Sequence, residues 1–385
     1  MLYWLLTEIN VRYDPPGFDV FRFITVRAGL AAMTALMIAI LIGRRIIRWL
    51  QNKQLGEQVR EGEDAGAVSH AHKAGTPTMG GLIILLSLLG STLLWGDLTN
   101  FYVWLAIIAT AWMGAVGFAD DYVKVIRKDK RGLAARIKII GQVGVGLLVG
   151  CVLYFHPQTQ GVHTLTHLPF FQGGGSFDYF FFRDLVSVDI GWLIYIPVVV
   201  FIMAAVSNAV NLTDGLDGLC AGVTAFVGIG LIALAYISGN ARVASFLDVL
   251  YLPGSGELTI FAAAMTMACF GFLWYNGFPA TVFMGDTGSL ALGAAVATLA
   301  LCVRKELLIP AMGFVFFAET LSVIIQTLYF KYTRKRYGEG RRVFRMAPLH
   351  HHFEAGGLHE AKIATRFWII TAIITIATLL TLRAQ

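Results

Sequence analysis

A chain of 385 residues that is 57% hydrophobic and only 14% charged, with a mean hydropathy of +0.68, is not a pair of soluble domains; it is an integral membrane protein. The formal net charge of +6 calls for no nucleic-acid partner, because the basic residues fall where membrane topology places them. The four cysteines, Cys151, Cys220, Cys269 and Cys302, lie in or beside apolar runs without Cys-x-x-Cys spacing and read as small buried hydrophobes.

The first residues include Glu8 and no basic n-region, so no cleavable signal peptide is expected. A membrane span takes roughly 20 apolar residues. Ten such runs follow, at about 24–43, 79–95, 101–118, 137–155, 189–207, 219–237, 259–275, 287–303, 308–330 and 364–382. An even number puts both termini on one side. Twenty Lys and Arg residues fall after spans one, three and nine, from Arg44 to Lys73, Lys124 to Arg136 and Lys331 to Lys362; seven fall on the opposite side. The richer side is cytoplasmic by the positive-inside rule, and both termini are periplasmic. The expected fold is a single all-α polytopic domain over residues 1–385. Its cytoplasmic loops are about 44–78, 119–136, 208–218, 276–286 and 331–363, and its periplasmic loop is about 156–188.

The periplasmic loop holds Gly173 to Gly175 among aromatic residues and reads as a glycine-hinged segment resting on the interface. His163 and His167 have the spacing of a helical metal pair, but no third ligand accompanies them. The cytoplasmic loops are richer. They carry Lys73-Ala-Gly-Thr-Pro-Thr78-Met-Gly-Gly81, Asp120-Asp121-Tyr-Val-Lys124, Asn208-Ala-Val-Asn211-Leu-Thr-Asp214-Gly-Leu-Asp217-Gly218, Asn276 through Phe283 to Gly285-Asp286-Thr-Gly288, and Pro348-Leu-His350-His351-His352. Polar groups at membrane depth are costly, so five such clusters on one face imply one shared site.

If helical, Asn208, Asn211, Asp214 and Asp217 lie along one face; Gly215 and Gly218 argue instead for an interrupted helix that backbone or ligand can approach. Helical neighbours Asp120 and Asp121 point about 100° apart, so only one can face a given metal or substrate. Asp286, between Gly285 and Thr287-Gly288, either presents a carboxylate to an ion or caps the helix that follows. An EF-hand over 211–222 fails, since Leu216 and Gly222 occupy the positions that need Gly and Glu. Magnesium fits better, held by one or two carboxylates together with substrate phosphates. The three histidines suit phosphate or carboxylate contact more than zinc. With Lys73, Lys124 and Lys138, the residues point to phosphate-bearing substrates, one of them a lipid, and to transfer by positioning and charge neutralisation. The rival class is a cation-coupled transporter, which places its acids near the bilayer midplane; here only Glu319 lies deep within a span.

These motifs, in this order along the whole chain, resemble the polyprenyl-phosphate N-acetylhexosamine-1-phosphate transferase superfamily. The histidine triplet and the 73–81 segment are most similar to its phospho-N-acetylmuramoyl-pentapeptide transferase branch. The resemblance implies a ten-helix homodimer of the bacterial cytoplasmic membrane, with its active site on the cytoplasmic face. It implies transfer of phospho-N-acetylmuramoyl-pentapeptide from the UDP-linked precursor to undecaprenyl phosphate, with release of UMP and a requirement for Mg2+. It makes Asp120, Asp121 and Asp286 the essential acids, with Asp286 and Asn211 toward the metal. Asp214 and Asp217 then line the nucleotide pocket, Lys73, Asn276 and Phe283 lie near the uridine, and His351 and His352 lie at the sugar-phosphate end. Thr78, Lys124, Lys138, Asn208 and His350 complete the expected substrate contacts.

Overall fold

At membrane depth there is no water to satisfy backbone N–H and C=O groups, so long apolar runs close their hydrogen bonds within helices. The structure, a computed structural model, describes residues 1–53, 75–125, 127, 132–167, 176–181 and 189–382. In chain order the helices are α1 (Leu2–Tyr13), α2 (Ile24–Asn52), α3 (Gly81–Trp95), α4 (Phe101–Val125), α5 (Ala135–Phe155), α6 (Trp192–Thr213) and α7 (Leu219–Gly239). There follow α8 (Ala241–Phe246), α9 (Leu258–Asn276), α10 (Gly285–Cys302), α11 (Ile309–Met312), α12 (Phe314–Tyr337), α13 (Leu349–Glu354) and α14 (Glu360–Thr381).

Among the described residues nine helices are long and apolar enough to cross a membrane, and α3, over the run read as 79–95, is a shorter apolar helix of 15 residues. At about 1.5 Å per residue α3 is shorter than a hydrocarbon core of about 30 Å. Its start is set by a loop: the N–H groups of Gly80 and Gly81 donate to the carbonyls of Phe283 (2.8 Å) and Met284 (2.9 Å), so they begin a loop–loop pairing instead of another helical turn. The run read as 308–330 is also divided, at Gly313, and α12 continues past it to Tyr337. The short helix α1, at 12 residues, lies before the first run long enough to span a membrane.

α10 is the hub. Small residues such as Gly288, Ala291, Gly293, Ala294 and Ala295 let neighbouring backbones close in, and 89% of its apolar window is buried, against α4, α6, α3 and α7. At the far end of the bundle from Asp286, part of the segment read as a loop is a two-stranded antiparallel hairpin, β1 (Leu165–His167) with β2 (Ser176–Asp178). It is fastened to the turn after α10 by His167 N–H to the Arg304 carbonyl (2.9 Å) and Tyr179 hydroxyl to Glu306 Oε1 (3.0 Å). His167 is therefore in a strand and not on the helix that a metal pair with His163 requires. Burial pushes its imidazole down to about 4, and the Lys305 ammonium adds to that effect. Gly173 to Gly175 lie outside the described residues.

Candidate active site

The end of α4 and the start of α10 are brought together by Gly117. A Cβ there would lie 2.1 Å from the Asp286 carbonyl oxygen, so only glycine permits this backbone contact. One turn further along α4, Asp121 is buried and takes the open N-terminus of α10. Its carboxylate accepts the N–H of Asp286 (3.1 Å), the N–H of Thr287 (2.9 Å) and the Thr287 hydroxyl (2.6 Å). Helix N-termini leave N–H groups without intrahelical partners, and α10 has no local side-chain cap. Asp121 supplies that cap from a neighbouring helix, so Asp286 is not the cap of its own helix.

Asp120, about 100° round α4, faces elsewhere. It is fully buried and accepts the Leu133 N–H at 2.7 Å. Its Oδ2 lies 2.5 Å from the Lys124 ammonium and 2.9 Å from that of Lys138. The same two ammoniums lie 3.1 and 2.6 Å from Oδ2 of Asp286, which sits in the first turn of α10. The other oxygen of Asp286 accepts from Asn211 Nδ2 at 2.8 Å, and that nitrogen also donates to Ser289 Oγ at 2.8 Å. Two carboxylates and two ammoniums thus alternate in space, and buried charges persist only in such paired arrangements. Carboxylate oxygens of Asp120, Asp121 and Asp286 come within 4.8 Å of one another, and oxygen donors in such a cluster suit a hard divalent cation. Asp121 is the least available of the three, because both its oxygens serve α10.

Around this centre the predicted residues fall into layers. Asn208 and Asn211 lie on α6, but the helix ends at Thr213, so Asp214 and Asp217 do not continue their face. Asp217 joins two loops: its Oδ2 accepts the Ala280 N–H (2.9 Å) while its own N–H donates to Glu360 Oε1 (2.6 Å). Asn276 does the same, accepting from Gly218 N–H at 3.0 Å and donating to the Val282 carbonyl at 2.9 Å. Phe283 holds the 77–81 segment through its backbone, donating to the Pro77 carbonyl at 2.8 Å, and Thr78 is buried beside Gly285. Lys73 lies outside the described residues.

The three histidines of α13 have three separate environments. His350 is fully buried; its N–H donates to the Glu319 carboxylate (3.2 and 3.3 Å) and its Nδ1 lies 3.1 Å from Glu319 Oε2. Its Nε2 abuts Gly215, where a Cβ would come within 2.1 Å. His351 pairs with Glu354 at 2.9 Å, and Nδ1 of His352 accepts the Arg345 N–H at 3.1 Å. Glu319, the one deep acid, is thus the anchor that presses α13 onto the 208–218 segment. Removing it leaves the buried His350 N–H and ring Nδ1 without the carboxylate they face. Glu319→Ala is therefore expected to destabilise the protein by about 1–3 kcal/mol. Glu319→Gln, which keeps an acceptor, is expected to cost less; thermal midpoints in detergent check both.

Several contributors carry little sequence signal. Thr287, Ser289 and Glu360 act through neighbours remote in the chain, and a hydroxyl or carboxylate at a helix end is otherwise unremarked. Gln142 does carry a signal, as a polar residue inside an apolar run one turn after Lys138.

Comparison with known proteins fits this geometry. The profile "Glycosyl transferase family 4" matches residues 103–304, and "Phospho-N-acetylmuramoyl-pentapeptide-transferase signature 1" matches residues 73–85. The phospho-N-acetylmuramoyl-pentapeptide-transferase of Salinibacter ruber is 68% identical over 386 residues, covering all of both chains. The chain belongs to the phospho-N-acetylmuramoyl-pentapeptide-transferase family. Members from Chloroherpeton thalassium and Flavobacterium psychrophilum are 50% and 47% identical, again over the full length of both chains. The signature of this family covers residues 73–85, and within them Gly80-Gly81 pairs with the loop that leads into Asp286.

Proposed function

We propose that the protein transfers phospho-N-acetylmuramoyl-pentapeptide from its UDP-linked form to undecaprenyl phosphate, releasing UMP and making the first lipid intermediate of peptidoglycan. The observation that carries this reading is the 68% identity over the whole of both chains with a relative named for that transfer. It works in the bacterial cytoplasmic membrane with ten crossings, α3 being the shortest. Both termini are periplasmic, the acid cluster is at the cytoplasmic face, and the working form is a homodimer.

In the reaction, an oxygen of the lipid phosphate bonds to the phosphorus that carries the sugar, and the bond from that phosphorus to UMP breaks. One pyrophosphate linkage replaces another, so the demand on the protein is alignment and charge neutralisation. Magnesium, when bound, neutralises the diphosphate and the charge on the departing UMP. Asp286 and Asp120 would hold it, with Asn211 offering its carbonyl oxygen, because its amide nitrogen already donates to Asp286. Lys124 and Lys138 bring positive charge to the phosphates. Asp121 keeps α10, and with it Asp286, in place. The loop held by Asp217 and Asn276, with Lys73, Thr78, Asp214 and Phe283, forms the nucleotide side; His351 and His352 form the sugar-phosphate side.

Asp120 orients the lipid phosphate or the metal and does not serve chiefly as a base. A phosphate monoester has its second pKa near 6, so most of the nucleophile is already a dianion at pH 7, and removing the residual proton gains well under about 1 kcal/mol. The residual rate of Asp120→Asn is therefore expected to stay depressed as pH is raised; full recovery at high pH indicates a base instead. The sugar assignment has its own test. Purified protein given undecaprenyl phosphate and Mg2+ is expected to form lipid-linked product from UDP-N-acetylmuramoyl-pentapeptide and not from UDP-N-acetylglucosamine. Product from the second donor alone would reject the assignment.

A further inference from the structure

The first turn of α5, from which Lys138 reaches both acids, is exposed on either side of that lysine: Arg136, Ile137, Ile139 and Ile140 all face outward. α5 becomes buried only at Gly141 and Gln142. Three hydrogen bonds to neighbouring helices secure it there. Trp112 Nε1 of α4 donates to the Gly141 carbonyl at 3.0 Å. On the other side Gln142, 2% exposed, forms a reciprocal amide pair with Asn208 of α6: Nε2 donates to Asn208 Oδ1 at 3.0 Å, and Asn208 Nδ2 donates back to Gln142 Oε1 at 3.2 Å. Asn208 also donates to its own helix at the Ala204 carbonyl, 2.9 Å away, which fixes its side chain against α6.

The register of this pair matters. Lys138 lies four residues before Gln142 on α5, and Asn211 lies three residues after Asn208 on α6, so each is a helical neighbour of one half of the pair. Those neighbours hold the two oxygens of Asp286, Lys138 at Oδ2 (2.6 Å) and Asn211 at Oδ1 (2.8 Å). We propose that Gln142 is a positioning residue of the transferase, and that its amide pair with Asn208 sets the spacing of α5 and α6 that aims Lys138 and Asn211 at Asp286. The proposal rests on the transferase reading of the Asp286 cluster. It also places part of the Asn208 amide in the frame between helices, where substrate contact alone was expected of it.

Gln142→Met keeps the length and removes the amide. Misaiming Lys138 and Asn211 without touching substrate is expected to lower kcat about tenfold while KM for the UDP-linked donor stays within about twofold. The rise in thermal midpoint that Mg2+ gives the parent, measured without lipid or donor, is expected to shrink in this variant. Gln142→Glu provides a second reading. Its carboxyl donates to Asn208 Oδ1 only when protonated, so its rate relative to the parent is expected to increase as pH is lowered. A kcat and Mg2+ shift unchanged in Gln142→Met overturn the proposal. So does a raised KM at unchanged kcat, which would mean direct substrate contact, or a pH profile of Gln142→Glu parallel to the parent. A variant that fails to fold is recognised by its lost thermal transition, and the pH series of Gln142→Glu then decides. If the parent itself forms no product, the transferase reading has failed, and the Mg2+ shift still tests the positioning of Asp286.

Discussion

Asp286→Ala is expected to reduce UMP release by about a thousandfold or more while leaving the protein folded. Asp286 is the side chain on which α4, α5 and α6 converge: Lys124 and Lys138 meet one oxygen and Asn211 the other. Its loss removes a carboxylate needed by a metal and separates both ammoniums from one of their two partners. Asp120 still pairs with both lysines at 2.5 and 2.9 Å, and the excess positive charge is met by water, because the Lys124 and Lys138 side chains are 36% and 26% exposed; the fold survives. Thermal midpoint and kcat measured on the same preparation are expected to separate cleanly. A midpoint close to the parent with activity gone supports the assignment; activity within tenfold of the parent counts against it.

Asp121→Asn is expected to fail on both measures. The Asp121 carboxylate receives three donors from the first turn of α10, and an amide in its place turns an NH2 toward at least one of them. Leaving buried donors unmatched costs about 1–3 kcal/mol each, so destabilisation of a few kcal/mol is expected together with a loss of rate of about a hundredfold or more. The contrast with Asp286→Ala is diagnostic. Adjacent acids that look alike in the sequence divide into one that builds the helix start and one that joins the charge cluster. A variant of Asp121 with a parental midpoint but no activity would put Asp121 in the chemistry directly.

Much of this was readable from the residues. The apolar runs coincide with helices because a bilayer leaves the backbone no alternative. The polar clusters share one end of the bundle because so many costly groups require a common purpose. The resemblance of the 120–124, 208–218, 285–288 and 348–352 segments pointed to the family that the full-length relatives show. What escaped depends on partners remote in the chain. The shortening of α3 follows from Gly80 and Gly81 bonding to Phe283 and Met284, some two hundred positions away, which no local pattern reveals. The role of Asp121 required the start of α10 beside it, and Gly117 reads as an ordinary small helix residue until Asp286 is seen against it. Glu319 is anomalous within its span as sequence alone, because its partner His350 lies 31 positions away. The hairpin β1–β2 was lost among glycines and aromatics, which suit a loose loop equally well.

Metal-dependent transfer at the Asp286 cluster is tested by UMP release from purified protein supplied with UDP-N-acetylmuramoyl-pentapeptide, undecaprenyl phosphate and Mg2+, followed beside Asp286→Ala and beside a metal-chelated control. Stoichiometric UMP and lipid product are expected from the parent, none above background from either control, and restoration of the chelated sample by added Mg2+. A parent that binds both substrates yet releases no UMP, or one whose rate is unchanged by chelation, would contradict metal-dependent transfer there.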